Sequence, residues 1–156
     1  MLEKDLQESL FYELEHTKPL PSNFVNTIEK YYPNKFKQGV WESIFQQLIG
    51  KPRNQCLCRE IYYPLYRKEV KFAAEILALE IEDKFSQEKC YEYLMNTESF
   101  GTIKAGIRNA SKYFYQKNIT ELDEKEILKL GIRWRNPSHY KDEKVLDRMV
   151  SKIINQ

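Results

Sequence analysis

The sequence predicts an all-α fold, as a single compact domain over residues 1–156 with seven to nine helices. First, the chain has 156 residues of which 42% are apolar, enough to bury a sizeable core. Second, only five glycines and six prolines interrupt it. Third, apolar residues between these breaks recur at intervals typical of helices, and no segment alternates like a strand. A helix-turn-helix-like or helical-repeat-like second half is left open.

The predicted helices of the first half are marked by apolar periodicity and by turn residues. Leucines at four-residue spacing predict an amphipathic first helix over residues 2–14. Ser22 can cap a second helix. A third helix over residues 40–48 ends at Gly50, and a short fourth helix over residues 55–62 precedes a proline.

The longest helical signal covers residues 65–85. It contains the segment "IEDK", residues 81–84, whose acid-x-lysine pattern we interpret as a solvated helix face. Ser86 can cap the helix that follows it, and residues 101–118 predict another helix.

Two further helices complete the prediction. Asp123 and Glu126 have the spacing of a capping box, so they predict a helix start. Gly131 predicts the end of that helix. A final helix is expected over residues 141–154.

The net charge is only +2, but the charges are segregated along the chain. Residues 31–72, 101–120 and 131–156 carry net charges of +5, +4 and +3. Residues 1–30 and 73–100 carry −3 and −5. Two interpretations stay open at this stage. The blocks form ion pairs with one another, or they present separate faces to binding partners.

The segment "GTIKAGIRNASKYFYQKN", residues 101–118, contains four cations and no acid. On a helical wheel its polar residues form one stripe, a composition suited to phosphate oxygens and sugar edges. Thr102 can cap this helix, which would give the second helix of a helix-turn-helix. The candidate nucleic-acid contacts here are Lys104, Arg108, Ser111, Lys112, Tyr115 and Lys117.

Further basic residues extend this hypothesis. One cluster interleaves cations with tyrosines, which suits stacking on unpaired bases and equally suits cation–π packing inside the protein. Its candidate contacts are Arg67, Lys68 and Lys71, and Arg133 and Arg135 are added from the segment before the last helix.

Several chemistries find no support in the sequence. No hydrolase, phosphate-loop, dinucleotide or zinc-protease motif occurs, so we expect no cofactor and no metal. Cys56, Cys58 and Cys90 lack zinc-ligand spacing, and we interpret them as small buried hydrophobes in a reducing compartment. The expected location is the cytoplasm, or the nucleus of a eukaryotic host. No uncharged run is long enough to cross a bilayer, and we expect no membrane partner.

The segment "GIRWRNPSHYK", residues 131–141, resembles the motif of HEPN ribonucleases, an arginine followed four to six residues later by histidine. The resemblance implies a dimeric helical domain in which Arg133 and His139 cleave RNA without metal. We expect that the pair is not catalytic here, because Pro137 forces an extended turn between them and Trp134 competes for the buried direction. Single-stranded RNA should therefore stay intact, and His139→Ala should behave like the parent.

The leading hypothesis is a cytoplasmic nucleic-acid-binding domain, acting as a subunit or accessory factor of a nucleoprotein complex that contains DNA or RNA. The alternative is a protein-interaction adaptor that uses the segregated acidic and basic faces, with a protein partner or a second copy. A metal-independent HEPN-like ribonuclease is the second alternative.

Overall fold

The computed structural model describes residues 4–50, 56–62, 71–102, 104–135, 137 and 141–156. These residues are all-helical, with nine α-helices, one 3-10 helix at Ile119–Glu121 and no strand among them, so the predicted fold class is confirmed. The helices are α1 (Lys4–Glu15), α2 (Ser22–Tyr31), α3 (Val40–Leu48), α4 (Leu57–Tyr62), α5 (Lys71–Lys84), α6 (Gln87–Thr97), α7 (Ile107–Tyr115), α8 (Glu124–Arg135) and α9 (Glu143–Ile154).

The chain divides into two compact units. Unit 1 comprises Met1–Pro19 and Asn34–Leu94, and unit 2 comprises Leu20–Pro33 and Met95–Gln156. The assignment of the whole chain to a single domain stays a prediction.

The core of unit 1 collects apolar residues from helices that are distant in sequence. Leu14, Leu57, Ile81 and Cys90 are completely buried. Phe11 of α1 meets Phe85 edge to face, with ring centroids 5.9 Å apart, close to the end of α5. Burial of these side chains supplies the main driving force for assembling short helices that would be marginal alone.

The core of unit 2 lies largely between α8 and α9. Leu128, Ile132, Leu146 and Val150 form one buried cluster, with spacings of four residues on both helices. Asn23 of α2 donates to the carbonyl oxygen of Leu122 at 3.2 Å, which ties α2 to the segment before α8.

Two of the predicted helix caps are confirmed. Lys89 N donates to Ser86 Oγ at 3.1 Å at the start of α6. At the start of α8, Glu126 N donates to Asp123 Oδ1 at 2.9 Å, and Asp123 N donates to Glu126 Oε2 at 3.0 Å. This is the reciprocal pairing of a capping box.

Three predicted boundaries are wrong. Ser22 is the first residue of α2 and not its cap, because Pro21 occupies that position. α8 continues through Gly131 to Arg135, since burial of Ile132 outweighs the small helix penalty of glycine. Thr102 does not cap α7, whose N-cap is Gly106 with φ 94°.

The helix-turn-helix arrangement is also absent at this point. Nine residues, 98–106, separate α6 from α7, whereas the motif uses a turn of three or four. The glycines at 101 and 106 both have positive φ, so they allow a longer connection to fold back on itself.

Candidate functional site

A polar cluster in unit 1 joins α3, α4 and α5, and we call Ser43, Arg59 and Glu75 the Arg59 cluster. Arg59 Nε donates to Glu75 Oε2 at 2.9 Å, and Arg59 Nη2 pairs with the other carboxylate oxygen. Arg59 Nη1 donates to Ser43 Oγ at 3.1 Å. The Arg59 and Glu75 side chains are only 16% and 26% exposed. A guanidinium, a carboxylate and a hydroxyl are therefore held together where charge interactions are stronger than at the open surface.

A second polar network in the same unit connects two helix starts. Val40 N, at the start of α3, donates to both Glu82 carboxylate oxygens, at 2.9 and 3.1 Å. Gln87 Nε2 donates to Glu82 Oε1 at 2.9 Å. Gln87 Oε1 accepts from Leu57 N at 3.0 Å, at the start of α4. The first N–H groups of a helix have no partner within it, so Glu82 and Gln87 supply the missing acceptors for α3 and α4.

The interpretation of "IEDK" as a solvated face is therefore wrong for Glu82, although Asp83 and Lys84 are exposed. The sequence does carry one signal for this role. The residue before α3 is Gly39, which has no side chain to cap the helix, so the acceptor must come from elsewhere. A Cβ at Gly39 would lie 3.3 Å from Glu82 Oε1, so glycine also permits the carboxylate to approach.

Helix α3 also carries an exposed apolar stripe, which consists of Trp41, Phe45 and Leu48. These side chains are 68%, 62% and 79% exposed. At about 100° per residue they fall within a sector about 60° wide. Val40 and Ser43 lie outside that sector and are buried. Clustered exposed apolar residues mark a binding surface more often than scattered ones do.

In unit 2, the basic stripe predicted for residues 101–118 does not form a continuous exposed face. Ser111 is fully buried and donates to the carbonyl oxygen of Lys117 at 2.8 Å. Arg108 is half-buried and bonds to Asn96 Oδ1. Lys104 and Lys112 are exposed, but Lys104 precedes the start of α7.

Two other candidate nucleic-acid contacts in this unit, Lys117 and Arg135, interact with neighbouring side chains. Lys117 Nζ pairs with Glu126 at 2.7 Å, so a cation of the basic block is matched by the acidic block that follows it. The guanidinium of Arg135, which is exposed, lies 4.1 Å from the centroid of the Trp134 ring. The interpretation of the charge blocks as mutual ion pairs therefore holds for Lys117.

Arg133 is placed in the interior of unit 2, with only 4% of the residue exposed. It pairs with Glu143 at the start of α9, and its guanidinium carbon lies 4.0 Å from the centroid of the Phe114 ring. Lys129 Nζ also contacts Glu143, at 2.9 Å. The prediction that Arg133 contacts nucleic acid at an accessible surface is wrong, because a buried guanidinium cannot be recognised without its partners. The arginine instead joins α7, α8 and α9.

The Tyr115 hydroxyl is buried beside Arg133, and burial raises the pKa of Tyr115 to about 12 from 10.0. The folded chain therefore holds this proton more tightly than the unfolded chain does. We expect stability to fall as the pH rises from about 10 to about 12, since the unfolded state loses the proton first. Urea unfolding at several pH values across that range should show that the free energy of unfolding declines less steeply for Tyr115→Phe than for the parent. Equal declines would contradict a buried, neutral Tyr115.

The remaining predicted site residues lie wholly or partly outside the described part of the chain. Arg67, Lys68 and His139 are not among the described residues. Lys71 begins α5, and its side chain is not described. The HEPN-like pairing of Arg133 with His139 is therefore described for its arginine alone, which faces Glu143.

Among the described residues, no group of three or more histidine, cysteine or acidic side chains could hold a metal ion. Of the helices described, none combines the length and apolar character required to cross a membrane.

The comparisons with known proteins identify the class. The profile of the Transglycosylase family matches residues 29–155, which include α3 to α9, and the chain belongs to this family. Members have a helical lysozyme-like fold, in agreement with the all-helical structure. The chain is 32% identical over 98 residues to penicillin-binding protein 1A of Clostridium perfringens strain 13, and equally to the protein of that name from strain ATCC 13124. These matches cover 63% of the chain but only 13% and 11% of the two relatives.

The family overturns the leading hypothesis. Nucleic-acid binding is wrong as the function, because a transglycosylase family match points to glycan chemistry. The assignment of DNA or RNA as partner is also wrong, as are the protein-interaction adaptor and the HEPN-like ribonuclease as functions. Local basic patterning misled the prediction, since it cannot distinguish cations that bind phosphate from cations that serve the protein's own carboxylates. A protein partner and the cytoplasmic or nuclear location stay predictions.

Proposed function

We propose that the chain is a peptidoglycan glycosyltransferase domain. The observation that carries this proposal is the family match over residues 29–155, which contains the whole Arg59 cluster. The chain spans only 13% and 11% of its two relatives, so glycosyltransferase activity is proposed for it and does not follow from the similarity alone.

The Arg59 cluster has the groups that glycosyl transfer requires. An attacking sugar hydroxyl loses its proton as it bonds to the anomeric carbon, and a carboxylate such as Glu75 can accept that proton. The leaving oxygen gains negative charge, which a guanidinium such as that of Arg59 stabilises. Glu75 and Arg59 come from different helices, α5 and α4, and their ion pair holds them together.

The exposed stripe of α3 suits the apolar part of such a substrate. Peptidoglycan glycosyl donors join sugars to a lipid through a pyrophosphate, so they present polar and apolar surfaces together. Trp41, Phe45 and Leu48 offer a continuous apolar surface on the helix that also contributes Ser43. Transfer of apolar surface from water to such a contact is favourable by about 25 cal/mol per Å².

The test is polymerisation of the lipid-linked disaccharide-peptide precursor of peptidoglycan by the whole chain, with glycan length read by gel electrophoresis. We expect product from the parent, and a rate lower by about 100-fold or more in Glu75→Gln. Glu80→Gln is the matched control, since Glu80 lies on the same helix and is exposed. It should polymerise like the parent, and circular dichroism should show that both variants are folded.

One observation favours a second candidate, binding of the glycan without transfer. Both oxygens of Glu75 already accept bonds from Arg59, and both oxygens of Glu82 accept from Val40 N. These carboxylates stabilise the protein in the absence of any substrate. Saturable sedimentation of the chain with purified peptidoglycan, without any polymer formed, would select this candidate. Absence of both binding and product would overturn both.

A further inference from the structure

The three cysteines of the chain are buried together in unit 1. Cys58 in α4 and Cys90 in α6 form a disulfide with a Cα–Cα distance of 5.2 Å, within the usual range for such bonds. Both are completely buried, whereas Cys56 is buried with a free thiol. The predicted burial of all three is confirmed, but the interpretation as unpaired hydrophobes of a reducing compartment is wrong for Cys58 and Cys90. The pairing could not be predicted, because three cysteines do not define a connectivity.

The disulfide links the short helix α4 covalently to α6. α4 contains six residues, Leu57–Tyr62, and a helix this short is not stable in isolation. Cys90 lies three residues after Gln87 on α6, so the two side chains share a face. The disulfide and the bonds that Leu57 N and Cys58 N donate to Gln87 Oε1 therefore hold the same first turn of α4.

Arg59 follows Cys58 directly, and it is the α4 residue that reaches Glu75 of α5 and Ser43 of α3. The position of the guanidinium consequently depends on how firmly α4 is attached. Without the covalent bond, α4 keeps the bonds that Leu57 N and Cys58 N donate to Gln87 Oε1, the ion pair of Arg59 with Glu75, and the burial of its apolar side chains.

We propose that the Cys58–Cys90 disulfide is a covalent staple that holds α4 on α6 and so keeps Arg59 in its cluster. In the oxidising step, Cys58 and Cys90 thiols each lose a proton and an electron, and a small disulfide such as oxidised glutathione is reduced to two thiols. The reverse exchange restores both cysteine thiols and removes the covalent link between α4 and α6. This inference goes beyond glycosyl transfer and does not depend on it.

Cys56 stays outside the exchange. Cys58 and Cys90 lie at bonding distance from each other, whereas Cys56 Sγ accepts from Gln87 Nε2 at 3.3 Å. Burial also raises the pKa of the Cys56 thiol. The oxidised chain should therefore contain one thiol and one disulfide, and the reduced chain three thiols.

The first test counts thiols. The purified whole chain, equilibrated with oxidised glutathione and unfolded without reductant, is alkylated and digested for mass spectrometry. We expect alkylation at Cys56 alone and one peptide pair joined through Cys58 and Cys90. Three alkylated cysteines, or a bond that involves Cys56, would overturn the proposal.

The second test measures how the disulfide affects thermal stability and the attachment of α4. Dithiothreitol should lower the melting temperature of the parent by about 10 °C, as expected for a disulfide that closes the loop between Cys58 and Cys90. It should also speed hydrogen exchange in residues 56–62 without changing residues 107–115. Cys58→Ser should have the melting temperature of the reduced parent, and dithiothreitol should not change it. Cys56→Ser, the matched control, should keep the full response.

An equal response to dithiothreitol in the parent and Cys58→Ser would contradict the staple, as would unchanged exchange in residues 56–62. If Cys58→Ser does not fold, the thiol count and the exchange experiment on the parent still decide. None of these measurements uses a glycan, so they stand apart from any failure of the proposed glycosyltransferase activity.

Discussion

Replacement of Gly106 by alanine is expected to lower the free energy of unfolding by about 3 kcal/mol. Gly106 caps α7 with φ 94° and ψ 146°, a conformation that is essentially limited to glycine. A Cβ there would lie 2.6 Å from the backbone oxygen of Asn96, which cannot move aside as a flexible side chain would. Gly106 N also donates to the carbonyl oxygen of Glu98 at 2.9 Å, so a shift of the backbone would break a further bond. Urea unfolding followed by circular dichroism gives the value.

Gly131→Ala is the matched control within the same unit. Gly131 lies inside α8, and a Cβ at this position would meet nothing within 4 Å. Alanine should therefore raise the free energy of unfolding by about 0.5–1 kcal/mol through its higher helix propensity. If both substitutions shifted stability in the same direction, the two backbone environments described for these glycines would be wrong.

Arg133→Ala is expected to lower the free energy of unfolding by about 3 kcal/mol. The substitution removes the ion pair with Glu143, the contact with the Phe114 ring and the packing of a nearly buried stem. The Glu143 side chain is 53% exposed, so water can solvate it after the loss, and the expected value lies at the lower end for a broken buried pair. Chemical denaturation measures the change.

Two further variants separate the contribution of the Arg133 charge from that of its packing. Arg133→Met keeps most of the apolar volume and should recover about half of the loss, since packing is restored without the charge. Arg135→Ala should change stability by about 0.5 kcal/mol or less, because Arg135 is exposed. A similar small effect of Arg133→Ala would mean that the guanidinium is not part of the unit 2 interior.

Much of the secondary structure could be predicted from the sequence because its causes are local. Apolar residues at helical spacing, together with caps and breaks, predicted nine helices in order, from the leucines of α1 to the apolar face of α9. The Asp123–Glu126 capping box was recognisable because both partners lie within four residues. Gly131 shows the limit, since a glycine that ends one helix is tolerated inside another when the next turn is buried.

The candidate site was not predictable in the same way. Ser43, Arg59 and Glu75 are each 16 residues from the next, and none belongs to a recognisable short motif. Glu82 lies 42 residues from the backbone N–H that it caps. Spacing in the chain carries no information about such pairs, because the geometry of three packed helices brings them together.

The sequence by itself determined that the chain is helical, since helix formation depends on periodicity, propensity and caps within a few residues. Only the tertiary structure decided what the charges do. Lys117 faces Glu126, Arg133 enters a core beneath Glu143, and Arg59 holds Glu75. The physical reason is that a cation takes its role from the nearest carboxylate or ring in space. Burial strengthens that interaction, and burial exists only after the helices have packed.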